Sequence, residues 1–220
     1  MTKKEIVQMF DFEMKPLFKR WGFKFSKSKL QAIKVDEEIT QIVFFDANYF
    51  LGKGVFQPYL RLRNERIMEI RSQVNKRYAN KHFVTISKHL PEVTELFSRD
   101  DLNFLYESFD NHDLGSYVYD KTMDFYKDRF TEFMDNVGLM FFQSLNSHDD
   151  FDKWYNEGIL DGKYDSKRIS QDSTPTYSYI SAVITENRDV EDIYSYWMNY
   201  DLYPEIKKEI ESVREYLLTR

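Results

Sequence analysis

This 220-residue chain has no cysteine, only seven glycines and five prolines, and four histidines. Without thiols it can hold no disulfide, no thiol nucleophile and no Cys-ligated zinc or iron–sulfur centre. Its glycines are too few and too scattered for a phosphate cradle: there is no P-loop and no Gly-x-Gly-x-x-Gly, and Gly52 and Gly54 read as a turn. His-Glu-x-x-His and Gly-x-Ser-x-Gly are missing too, and His82, His89, His112 and His148 never fall within four residues of one another. No apolar run reaches membrane-spanning length; the greasiest, Val137 to Phe142, is short and contains Gly138. Met1 to Glu5 leads straight into an amphipathic pattern without the apolar core of a signal peptide, so the expected location is the cytoplasm.

What the chain does have is segregated charge. Residues 1–90 carry 18 Lys/Arg against 9 Asp/Glu, net +9, and residues 91–220 carry 13 against 28, net −15. Such halves either answer each other or present opposite surfaces to partners. Hydrophobic content is 42%, and 19 Phe, 16 Tyr and 3 Trp supply enough apolar surface to exclude disorder for most of the chain.

The pattern changes with the charge. Thr2 and Glu5 have capping-box spacing, and Ile6, Phe10, Met14, Leu17 and Trp21 continue a helical period that predicts a helix over about 3–20, ended by Gly22, with Pro16 as its weak point. Period-two runs follow at Phe23–Phe25, Ile39–Tyr49 and Val55–Arg63, with shorter strand candidates at Ile67–Arg71 and Phe83–Ile86. Their connections are too short for βαβ crossovers, so four or five mostly antiparallel strands are expected, with Pro58 at an edge or bulge. Beyond residue 91 the pattern is helical. Tyr119, Met123, Tyr126, Phe130, Phe133, Val137 and Met140 form one apolar stripe, which predicts a helix over about 116–145. Asp149 or Asp150 is expected to cap a short helix through Trp154. A loop at 161–174 then precedes a hairpin of Tyr177–Thr185 and an Asp189-capped segment, and Pro204 opens the last helix. The expected fold is α+β: an N-terminal helix packed on a four- or five-stranded mostly antiparallel sheet, then an all-helical C-terminal portion. With no Pro/Gly/Ser linker near residue 90, residues 1–220 are read as one domain.

Three sets of side chains are candidates for chemistry or binding. Glu107, Asp110, His112 and Asp113 have metal-ligating groups, although loop and cap positions attract the same residues for local reasons, so no metal or other cofactor is expected. Asp120, Asp124, Asp128 and Glu132 recur at i, i+4 on the flank of the apolar stripe; such like charges repel by about 0.2–0.5 kcal/mol per pair. They read either as an acidic docking edge for a basic protein or as a row facing water or the chain's own basic half. Tyr59, Arg61 and Arg63 share one strand face opposite Leu60 and Leu62, at the head of a basic series that continues through Arg66, Arg71, Arg77 and Lys88. Stacking beside cations is a nucleic-acid device, but ordinary alternation produces the same pattern, and the net acidity of the chain argues against a nucleic-acid partner.

The segment Lys15-Pro16-Leu17-Phe18-Lys19-Arg20-Trp21-Gly22-Phe23-Lys24 closes a helix on a Gly-Phe-Lys turn. The Gln-containing run Thr40–Phe45 follows it, and Trp154-Tyr155 and the hairpin around Tyr179–Ile184 come late in the chain. Together these resemble the bacterial domain-of-unknown-function group DUF4304, over residues 5–71 and more loosely in the hairpin. The resemblance implies an α+β build and no established activity, and it carries over no catalytic residue. From the −15 half, the acidic row and the missing catalytic motifs, the expected function is a non-enzymatic protein-binding module of immunity or inhibitor type that uses the acidic helical edge. The alternative is an enzyme or small-ligand binder with an aromatic-lined pocket between sheet and helices.

Overall fold

The computed structural model describes residues 1–50, 53–102, 117–118, 122–163 and 173–219 and shows an α+β protein. In chain order the elements are α1 (Lys3–Arg20), β1 (Lys24–Ser26), β2 (Gln31–Asp36), β3 (Ile39–Phe50), β4 (Lys53–Asn64), α2 (Glu65–Val74), β5 (Ile86–His89), α3 (Leu90–Leu96), β6 (Tyr117–Val118) and α4 (Met123–Phe133). A π turn (Met134–Gly138) joins α4 to α5 (Leu139–Gln143), and α6 (His148–Asn156), α7 (Thr174–Thr185), α8 (Val190–Asn199) and α9 (Pro204–Leu218) follow. The chain divides into two compact units, one of residues 1–62 and 86–143, the other of 63–85 and 144–220. The charge switch near residue 90 lies inside the first unit and not at any of the three borders.

In the first unit α1 forms as its sequence dictates. The Glu5 amide donates to Thr2 Oγ1 at 3.3 Å and the Thr2 amide to Glu5 Oε2 at 2.7 Å, which closes the capping box. The helix runs unbroken through Pro16, with Met14 and Phe18 buried on either side of it. It stops where Gly22 takes φ +80° and the Phe23 amide reaches back to the Phe18 carbonyl at 2.8 Å. The sheet runs β1-β2-β3-β4-β5, with β6 also on β4; β1–β2, β2–β3, β4–β5 and β4–β6 pair antiparallel. Phe10 is the hinge of the core: it stacks on Phe56 at 4.1 Å and meets Phe45 edge-on at 4.9 Å. Phe130 of α4 adds to the same cluster, 5.9 Å from Phe18 and 5.5 Å from Phe45.

Several expectations change in this unit. Gln31–Asp36 is a strand that the hydrophobic pattern did not announce. Gly54 belongs to β4, paired with Val118, and not to a turn; a glycine is needed there because any Cβ would stand 2.6 Å from Phe56 Cε2 and 2.9 Å from Ile6 Cγ2. Pro58, expected at an edge or bulge, lies within β4. It falls in the gap between the stretch paired with β6 at Gly54–Val55 and the stretch paired with β5 at Tyr59–Leu62. The helix predicted over 116–145 begins at Met123, because Tyr117–Val118 pairs with β4, while Tyr119 lies outside the described residues. The π turn, in which the Leu139 amide donates to the Met134 carbonyl, then inserts one residue into the period. Phe141 and Phe142 are buried as a result and Met140, expected in the stripe, is 46% exposed.

In the second unit Ile67–Arg71 is helical and not extended. Asn64 caps α2 by accepting from the Ile67 amide at 3.1 Å, and Ile67, Met68, Ile70 and Arg71 form its buried face. Ser147, not an aspartate, caps α6, and Asp150 completes a capping box as the third helical residue. The C-terminal hairpin forms as expected, with Asp189 capping α8 and Pro204 in the first turn of α9. Helix α7 is central to this unit: Thr174 through Ala182 are all buried. Ser178 is answered inside, since Trp197 Nε1 donates to Ser178 Oγ at 2.7 Å and Ser178 Oγ donates to Asn156 Oδ1, while the buried Ser181 hydroxyl has no partner among the described residues. Asn156 Nδ2 reaches Asp152 Oδ1 at 2.6 Å, and Arg188 Nε pairs with Asp152 Oδ2 at 2.7 Å.

Candidate functional site

The acidic row on α4 is real but partly answered. Asp120 lies outside the described residues, as do Glu107, Asp110, His112 and Asp113. Asp124 and Asp128 are exposed, as is Glu132 one turn further on. Lys127 bridges Glu13 of α1 and Asp124, each at 2.9 Å, and these two carboxylates hold its ammonium well above its usual range, Glu13 more than Asp124. Arg129 pairs with Glu132 at 2.7 Å. Asp135 binds Arg20 at 2.7 Å and accepts from Trp21 Nε1 at the same distance. Surface pairs of this kind contribute about 0–1 kcal/mol each, but they remove net charge from the ridge. Between the acids the same face carries Phe125, 41% exposed, and Phe12 on α1 is 77% exposed.

The sheet brings Tyr59 and Arg61 together as expected. The Arg61 guanidinium lies 4.0 Å from the Phe44 ring centre and 5.2 Å from that of Tyr59, and the His89 ring lies 4.0 Å from Tyr59. Burial pushes the Arg61 pKa down, against the Tyr59 hydroxyl and the Asp46 carboxylate, which favour the charged form. Arg63 does not join this surface. It is buried, with Nε on both oxygens of Glu65 at 2.9 Å and Nη1 on the Phe83 carbonyl at 2.6 Å. The basic series read along the chain is thus no single surface: Arg63, Arg71 and Lys88 are buried, and Lys88 holds Glu92 at 3.0 Å.

Sequence reasoning gave Arg71 no special place, because its partner is far along the chain. Its Nε and Nη2 donate to Glu209 Oε1 and Oε2 at 2.9 and 2.8 Å, a bidentate pair across 138 residues. The one local signal was an arginine at the apolar period of α2, beside Ile67, Met68 and Ile70.

Among the described residues no group of three or more His, Asp or Glu is placed to hold a metal ion, and no helix is long and apolar enough to cross a membrane. No family model, curated protein or solved structure matches this chain.

Proposed function

We propose that this protein is a protein-binding module that docks a basic protein on the outer face of α4. The observation that supports this is an exposed aromatic set among exposed acids: Phe125 between Asp124 and Asp128, with Phe12 exposed on α1, the helix tied to α4 through Lys127. Aromatic anchors ringed by polar groups are the usual composition of binding hot spots, and a complementary charge speeds encounter. Capture of a basic partner should fall roughly tenfold in Asp124→Lys/Asp128→Lys and again in Phe125→Ser, each with unchanged circular dichroism. The charge-dependent part should fade as ionic strength rises. Binding that is indifferent to both variants removes α4 as the docking face.

A second reading, a small-ligand binder, has one observation in its favour. A cleft of about 430 Å³ opens between α1, the β1–β2 connection and β3, lined by Lys3, Val7, Leu30, Phe45 and Tyr49 among others. The Tyr49 hydroxyl is buried without a partner among the described residues, and desolvation pushes its pKa up. Thermal-shift screening against metabolite mixtures, with Tyr49→Phe as the control, tests it. A ligand whose stabilisation survives that substitution undiminished places the binding elsewhere.

A further inference from the structure

Arg71 is a buried charge that folding answers only in part. Its side chain is 1% exposed, and its guanidinium carbon lies 3.6 Å from the ring centre of Tyr78 and 4.5 Å from that of Tyr177. The fork on Glu209 uses Nε and Nη2, and Thr176 Oγ1 adds a 3.3 Å bond to Glu209 Oε2, so both oxygens of that carboxylate are engaged. Nη1 is buried and donates to no group among the described residues. A guanidinium nitrogen can only donate, so whatever completes Nη1 must bring an acceptor. Native folds rarely leave such a donor unanswered.

Arg71 also lines a cleft of about 320 Å³, shared with Arg77, Tyr78, Tyr203 and Glu205, at the lower end of the size of ligand pockets. Because the Arg71 charge is already balanced by Glu209, a bound anion needs a second cation, and Arg77 supplies it. Arg77 is exposed at the rim, with Nη2 on the Tyr78 hydroxyl at 2.7 Å and its guanidinium 4.7 Å from that ring centre. Glu205 opposes it but is exposed, where solvent and salt screen its charge.

We propose that this cleft binds a small oxyanion, a carboxylate or a phosphate, with one oxygen accepting from Arg71 Nη1 and the outer charge met by Arg77. The test is calorimetry and 15N NMR of the full chain with inorganic phosphate and with citrate, each against sodium chloride of equal ionic strength. Saturable binding of either probe is expected, with shifts confined to the Arg71 guanidinium and the amides of Tyr78 and Ile206. The probe that binds names the oxyanion, and binding of both names the chemistry they share. Arg77→Ala, at an exposed side chain, should weaken binding roughly tenfold. Glu209→Gln keeps the shape but withdraws the competing carboxylate charge, and should tighten it. Arg71→Lys should abolish it; since that change endangers the fold, Tyr203→Ala, at a side chain 71% exposed, serves as a second and milder perturbation that should weaken binding. No saturable binding of either probe up to about 10 mM, or binding that Arg77→Ala and Glu209→Gln both leave unchanged, overturns the assignment.

Discussion

At Gly54 a single hydrogen stands where any other residue would place a carbon against the Phe56 ring and Ile6. Both neighbours are core side chains, and Phe56 is fixed by its stack on Phe10, so neither can yield cheaply. Gly54→Ala should therefore destabilise by about 1–3 kcal/mol, the usual range for overpacking, read as a lowered denaturant midpoint with an unchanged slope. A second residue-scale expectation concerns acid. Glu5 is held below its usual 4.5 by the Thr2 backbone amide first and the Thr2 hydroxyl second. Because the folded carboxyl binds its proton less readily than the unfolded one, its contribution is fully present above 4.5 and is lost as pH falls through the lower folded value. The Thr2 and Ile6 amide signals should move through that acid range, and Glu5→Gln, which still accepts from Thr2 but does not ionise, should abolish the step. A step that persists in Glu5→Gln would assign it to another carboxylate.

At the scale of elements, the legible parts were those whose cause is local. The capping box at Thr2 and Glu5, the left-handed stop at Gly22, the Asp189 cap and the alternation of β4 are each decided within a few residues, and each stands where its pattern put it. Ile67–Arg71 shows the opposite case. A five-residue apolar run fits a strand or a helical turn equally well, and the Asn64 cap decides for the helix. The candidate sites divide in the same way. Arg61 beside Tyr59 follows from strand alternation, whereas the burial of Arg63 and the pairing of Arg71 with Glu209 depend on partners that no local pattern reveals. The stripe of α4 failed for a subtler reason. Its seven apolar residues kept an alternating four-and-three helical spacing on paper, but Gly138 and the crowded ring of Phe133 accompany a π turn that advances the phase by one. The consequence is measurable: Phe141→Ala should cost about 3–5 kcal/mol, whereas Met140→Ala should stay within about 0.5 kcal/mol. Reversed magnitudes would mean that the helix keeps its uninterrupted period in solution.

At the scale of the whole molecule the two compact units are interleaved in sequence, because the chain passes between them after Leu62, Thr85 and Gln143. Residues 63–85 enter the second unit as an excursion whose two ends, β4 and β5, are paired at Leu62 and Ile86 in the sheet of the first. No single cut therefore frees either unit whole, and loss of the sheet releases both anchors of the excursion. This connectivity predicts one cooperative unfolding transition rather than two. Tryptophans report on each unit separately, Trp21 on the first and Trp197 on the second. Variants that keep only one of them as the fluorophore, with Trp154 replaced by phenylalanine in both, should give the same midpoint in urea once the effect of each substitution on stability is subtracted. Gly54→Ala, made in the first unit, should then shift the Trp197 signal by as much as the Trp21 signal. If Trp197 reports an unshifted midpoint while Trp21 moves, the units unfold independently despite their shared chain. In that case binding at α4 and binding in the Arg71 cleft would have no thermodynamic route to each other through stability.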